Sequence, residues 1–289
     1  MKVLFIAKGD YPDFQSDMVF HGGRSLLGDN FVDCNKIWYM YEEDKNKYWN
    51  TIIPENGKSY GRGFTLYGRI KEDKINRNNI IERIKKREFD KVIYGSFTRC
   101  LDYLEVVLEN YKGDNLIFID GEDDISIQQD IFNLGGLYFK RELSDLCTDR
   151  IMPINFAIPE DLILREVPNK LKEYAYIIPG DFSTYIYDNQ EDYFKDYQES
   201  YFGVTFKKGG WDCLRHYEIL MNGCIPYFDN LQECPSKTMI SFPKKEIINC
   251  VEELKNENLT EIKAREFIKY FLDYTKNNLT TKVLFNSLI

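Results

Sequence analysis

Apolar positions along this chain fall into short runs that end in small or charged residues. Lys2 to Ala7 is nearly continuous apolar and opens into Lys8-Gly9-Asp10, as a strand buried on both faces does where it leaves a parallel sheet. Phe89 to Ser96, Asn115 to Gly121 and Leu137 to Lys140 repeat the pattern. Helical spacing fills the gaps: Asn78 to Arg87, then Arg99 to Tyr111 with Leu101, Leu104, Val107, Leu108 and Tyr111 on one stripe. This alternation predicts a parallel α/β sheet. Around Pro153, Pro159 and Pro168 the texture changes to that of an extended crossing. Four more strand-like runs follow: Ala175 to Ile178, Tyr201 to Phe206, Cys224 to Phe228 and Thr238 to Phe242. A short helix is expected over 212–222 and a longer one from Glu261 to Lys276, with Ile262, Phe267, Ile268, Phe271 and Leu272 as its apolar face. The expected architecture is two Rossmann-like α/β domains facing a cleft, 1–165 and 166–260, with a C-terminal helix over 261–289 placed to pack back on the first.

Composition narrows the partners. The chain of 289 residues is 43% hydrophobic, enough for a substantial core. A net charge of −9 repels polyanions, which makes nucleic acid an unfavoured, though not forbidden, partner. Seven cysteines without a C-x-x-C pair indicate neither a disulfide framework nor a zinc ribbon. No signal-peptide pattern opens the sequence and no apolar run approaches the ~20 residues that span a bilayer, so a soluble, cytoplasmic protein without a transmembrane segment is expected. Neither G-x-x-x-x-G-K-[ST] nor G-x-G-x-x-G follows a strand, which disfavours P-loop and dinucleotide chemistry.

The candidate chemistry lies in Phe206-Lys207-Lys208-Gly209-Gly210-Trp211-Asp212, between a strand-like run and the short helix. Gly209 and Gly210 allow close backbone approach to a ligand, and Lys207 and Lys208 add the charge a diphosphate needs. Asp212 is the expected helix N-cap. Arg215 and Glu218, three residues apart, point the same way, with Leu214, Tyr217 and Met221 as the complementary apolar stripe. Spacing alone leaves two readings open: phosphate and ribose recognition, or a surface ion pair.

The run Gly210-Trp211-Asp212-Cys213-Leu214-Arg215-His216-Tyr217-Glu218-Ile219-Leu220-Met221-Asn222-Gly223-Cys224-Ile225-Pro226 resembles the donor-site helix of GT-B-type glycosyltransferases, with an R-x-x-E spacing as in family 1 and exostosin-like enzymes. Arg215, Glu218, Gly223 and Pro226 match that pattern. Phe20 to Gly28, containing His21-Gly22-Gly23, resembles the region after the first strand in such proteins. The second unit is short for the family, with four strand-like runs where six are usual, which leaves a trimmed enzyme or an inactive relative open. The resemblance implies transfer of a sugar from a nucleoside diphosphate donor to a glycan, lipid-linked sugar or small-molecule acceptor, without metal or other cofactor. It assigns Lys207, Lys208, Gly209, Gly210 and Arg215 to the diphosphate and Glu218 to the ribose. Two residues are candidate bases: Asp120, which ends a strand in the acidic cluster Asp120-Gly121-Glu122-Asp123-Asp124, and His21, expected in the loop after the first strand. An alternative uses the acidic cluster to hold a divalent cation as GT-A enzymes do. Another makes the chain a non-catalytic nucleotide-sugar binder.

Overall fold

The computed structural model describes residues 1–43, 66–71, 75–146, 148 and 150–289. Six strands form one parallel sheet: β1 (Val3–Ile6), β2 (Phe31–Asp33), β3 (Lys91–Tyr94), β4 (Gly113–Asp120), β5 (Gly136–Lys140) and β6 (Ile151–Pro153). Their order is β2-β1-β3-β4-β5-β6, so the winding reverses between β1 and β3. A smaller parallel sheet holds β7 (Lys172–Tyr174), β8 (Ser200–Val204) and β9 (Ile225–Tyr227) in that order.

Alternation along the strands explains why the first sheet is buried on both sides. Phe5, Ile93, Ile117 and Phe139 face one apolar cluster, while Leu4, Val92, Leu116 and Tyr138 face the other. The second cluster is closed by α2 (Ile80–Lys85) and α3 (Leu104–Asn110); α4 (Gln129–Phe132) follows β4. The first cluster continues through Ile154, Phe156 and Ile158 into the smaller sheet, taking in Phe202, Ile219 and Ile225. One core therefore joins both sheets. Around the smaller sheet pack α5 (Gln190–Gln198), α6 (Leu214–Met221), α7 (Lys244–Lys255) and α8 (Glu261–Asn278). The terminal α9 (Thr281–Asn286) packs on α1 (Phe14–Leu27), and Thr280 bridges to Ile158.

Three expectations are corrected. His21-Gly22-Gly23 is not a loop but the middle of α1, which starts where the Asp13 carboxylate accepts the Ser16 amide at 3.1 Å. A side chain at Gly22 would collide with the Thr281 carbonyl, and one at Gly23 with the Phe31 ring, so both glycines serve packing. Thr238 to Phe242 is not a fourth strand. The Thr238 hydroxyl bonds the Leu143 amide and carbonyl at 2.8 and 2.9 Å, Met239 takes φ +51°, and the Phe242 amide turns back to the Met239 carbonyl. Met239 and Phe242 reach the core from turns, while Ile240 is exposed. The strand expected at Ala175 to Ile178 lies three residues earlier, because the Tyr176 amide leaves the sheet for the Asp196 carboxylate at 2.8 Å.

Candidate functional site

Helix α6 follows β8 through the glycine loop, and all eight of its residues are buried. Asp212 is not its N-cap; Cys213 occupies that position. The Asp212 carboxylate instead accepts the Phe156 amide and the Tyr217 hydroxyl, both at 2.8 Å, and burial pushes its pKa up to about 6. Arg215 is 6% exposed, and its Nε has no acceptor. Burial works against the guanidinium charge, while Tyr193, Tyr197, Cys213 and Tyr185 around it hold its pKa above the ordinary value. Glu218 is fully buried, with Oε2 accepting the Tyr193 hydroxyl at 2.8 Å. Neither residue lies on the outer surface.

His216 is a structural member of this helix. Its Nε2 donates to the Trp211 carbonyl and its Nδ1 accepts from the Thr205 hydroxyl, both at 2.9 Å. Burial depresses its pKa to about 3, so the ring is neutral. The glycine loop is thereby tied to the helix it precedes. Lys207, Lys208 and Gly209 are exposed, Gly210 is buried, and the Lys207 ammonium lies 5.2 Å from the centre of the Trp211 ring.

The loop rests on the carboxyl end of the larger sheet. Arg141, one residue beyond β5, donates to the Asp212 carbonyl at 2.5 Å, to the Gly121 carbonyl at 2.8 and 3.1 Å, and to the Asp123 carboxylate. It also pairs with Glu142 at 3.1 Å, and Glu142 accepts the Asp212 amide at 2.8 Å. Side chains at Gly209 and Gly210 would run into the Asp123 and Glu142 carboxylates. The two glycines therefore admit a neighbouring strand end as well as offering bare backbone. Arg141 and Glu142 were missed from the sequence; the available signal was a charged pair directly after a buried parallel strand.

Asp120 ends β4, directly before Gly121. It is 1% exposed, accepts the Tyr138 hydroxyl at 2.6 Å and lies 3.1 Å from the Lys140 ammonium. The other carboxylates of its cluster also have protein partners: Glu122 with Thr98 and Arg99, Asp123 with Arg141, Asp124 with Ser126. No group of three or more His, Cys, Asp or Glu side chains suited to a metal occurs among the described residues.

His21 is placed elsewhere. Its ring is 7% exposed on α1, its Nδ1 is 2.8 Å from the Thr281 hydroxyl, and burial lowers its pKa to about 4. It lines a cavity of about 790 Å³ whose walls include no residue of the glycine loop or of α6. The structure thus sets His21 apart from the loop, while the Asp120 carboxylate turns to Tyr138 and Lys140 and only the neighbouring Gly121 carbonyl is tied, through Arg141, to the Asp212 carbonyl.

Fold and junction together define a Rossmann-like α/β protein with a parallel six-stranded sheet, and no described helix is long and apolar enough to cross a membrane. No family model matches the chain, and no curated protein does. Among solved structures it is similar to an α-glucosyltransferase in complex with UDP and a 13-mer DNA containing an HMU base, at 8% identity over 99% of this chain and 97% of that one, with a TM-score of 0.47. A likeness this loose carries no statement about activity.

Proposed function

We propose that the chain transfers a sugar from a nucleoside diphosphate donor, with the diphosphate held at the start of α6. The observation that carries this reading is Arg215: a guanidinium almost wholly buried, with an Nε lacking an acceptor, one turn behind a glycine loop at the carboxyl end of a parallel sheet. A buried cation with an unused donor is costly unless an anion completes it. Lys207, Lys208 and the Gly209-Gly210 backbone add to the charge and amides available there. Glu218 accepts the ribose hydroxyls in place of Tyr193, whose phenol holds Oε2 in this structure.

The transfer replaces the sugar–phosphate bond with a bond to an acceptor oxygen or nitrogen, and negative charge develops on the leaving diphosphate. Arg215 and the lysines stabilise that charge. The base that takes the acceptor's proton falls to Asp120 rather than His21, because Asp120 directly precedes Gly121, whose carbonyl Arg141 ties to the Asp212 carbonyl, whereas His21 lines a cavity without loop residues. Its bonds to Tyr138 and Lys140 must loosen for that step. The same reading places no cation at the 120–124 cluster, whose carboxylates accept from protein donors. The two-lobed GT-B arrangement and cytoplasmic location belong to the same reading, as do glycan, lipid-linked or small-molecule acceptors.

A thermal-shift series with UDP-, GDP-, ADP- and dTDP-linked sugars tests it. One nucleotide class is expected to raise the melting temperature of the parent chain, and Arg215→Ala to remove the shift. Nucleoside diphosphate released in the presence of acceptors then separates a transferase from a binder. No shift with any donor, or a shift that survives Arg215→Ala, overturns the proposal.

A further inference from the structure

We propose that the chain carries a second ligand site, for a small organic phosphate, in the cavity bounded by α1, α8, α9 and the 160–165 segment. This site is independent of the sugar-transfer reading, and it gives His21 a role that reading leaves vacant. The cavity of about 790 Å³ is within the range of small-molecule sites.

Charge on its walls is unevenly committed. Glu160 is engaged by Lys282 at 2.9 Å, and Asp161 by Arg69. Arg165 and Lys276 also line the cavity and have no carboxylate within ion-pairing distance among the described residues. Asp273, three residues before Lys276 on α8, is the remaining acid. Cations therefore outnumber carboxylates, and the two outside ion pairs come from different segments, Lys276 acting on Glu160 only from beyond pairing distance. An anion between the two cations is attracted from both sides.

His21 supplies direction. With Nδ1 taken by the Thr281 hydroxyl, Nε2 is the ring atom left to a ligand. Burial keeps the ring neutral, so when the hydroxyl donates to Nδ1, Nε2–H donates to a bound oxygen. Two cations and one neutral donor suit a tetrahedral phosphate, whose oxygens point several ways. Ile163, Leu164 and Leu272 provide an apolar wall for the organic body.

The two histidines of the chain make the test local, since His21 lines this cavity and His216 lies behind the glycine loop. Glucose 6-phosphate, with inorganic phosphate as the minimal probe, is titrated into the full chain while both ring signals are followed by NMR. Loss of a signal in His21→Gln assigns them. The His21 resonance is expected to move saturably in the parent and in Arg215→Ala. In the double variant Arg165→Ser/Lys276→Ser, at exposed positions, binding is expected to weaken about tenfold or more. A His21 signal that stays in place, movement of the His216 signal alone, or an unchanged response in the double variant overturns the site. Failure of nucleotide-sugar binding with an intact His21 response would defeat the sugar-transfer reading alone.

Discussion

Arg215 is placed where a protein optimised only for stability would not keep it. Removing a guanidinium from water costs several kcal/mol, and here its Nε has no acceptor. Arg215→Met keeps the length and drops the charge. Its stability in urea unfolding is expected to match or exceed the parent, while donor affinity falls by about 1.5–3 kcal/mol, the worth of a charged hydrogen bond. A large loss of stability would instead make Arg215 part of the scaffold. The histidines carry a pH dependence. Burial holds His216 near a pKa of about 3 and His21 near about 4, whereas in the unfolded chain both return toward 6.5. Between those values the unfolded state binds more protons, so these rings make stability rise with pH and fall on acidification. Asp212 works in the opposite sense: raised to about 6, it binds its proton more tightly when folded and lowers stability as pH climbs from its ordinary 3.8. His216→Gln removes one rising contribution. Its deficit relative to the parent, read from urea midpoints, should shrink from pH 7 to pH 4; a constant deficit would mean that the ring is not held neutral.

At the level of elements, the tightest demand falls where α1 meets α9. The Gly22 Cα faces the Thr281 carbonyl, and an added methyl would also lie 2.9 Å from the Phe285 Cβ. Gly22→Ala is expected to cost about 1–3 kcal/mol through overpacking and to speed limited proteolysis of the 280–289 segment. Protection equal to the parent would show that the two helices are not held together there. This contact also explains what could be read in advance. Strands β1, β3, β4, β5 and β9 were legible because burial makes each run locally apolar. Helix α1 was not, because its two glycines answer to neighbours outside the helix, and beside residues of low helix propensity they look like a loop. Strand β7 is wholly exposed and offers no apolar signal, while after Thr238 the buried Met239 and Phe242 are not extended and Ile240 is exposed. In the candidate site, spacing picked out Arg215 and the glycine loop but left phosphate recognition and a surface ion pair both open. Arg141 and Glu142 could not be read that way, since Glu142 bonds an amide 70 positions away.

Across the whole molecule, the two sheets meet through buried charges as well as apolar surface. Arg141 compensates Glu142 and binds the Asp212 carbonyl, and all three residues are nearly inaccessible. Arg141→Met strands the Glu142 and Asp212 carboxylates against each other, and a loss of about 3–5 kcal/mol is expected in equilibrium unfolding. Because the loop ahead of α6 is anchored there, donor-induced thermal shifts should shrink as well; a variant as stable as the parent would show that the junction is held by apolar contacts alone. Finally, the His21–Thr281 pair joins positions 260 apart. During synthesis, the first helix of the larger sheet emerges long before the segment that covers it. Until then its Gly22 face is open on the nascent chain, so docking waits on a contact of very long sequence separation and is slow in contact-order terms.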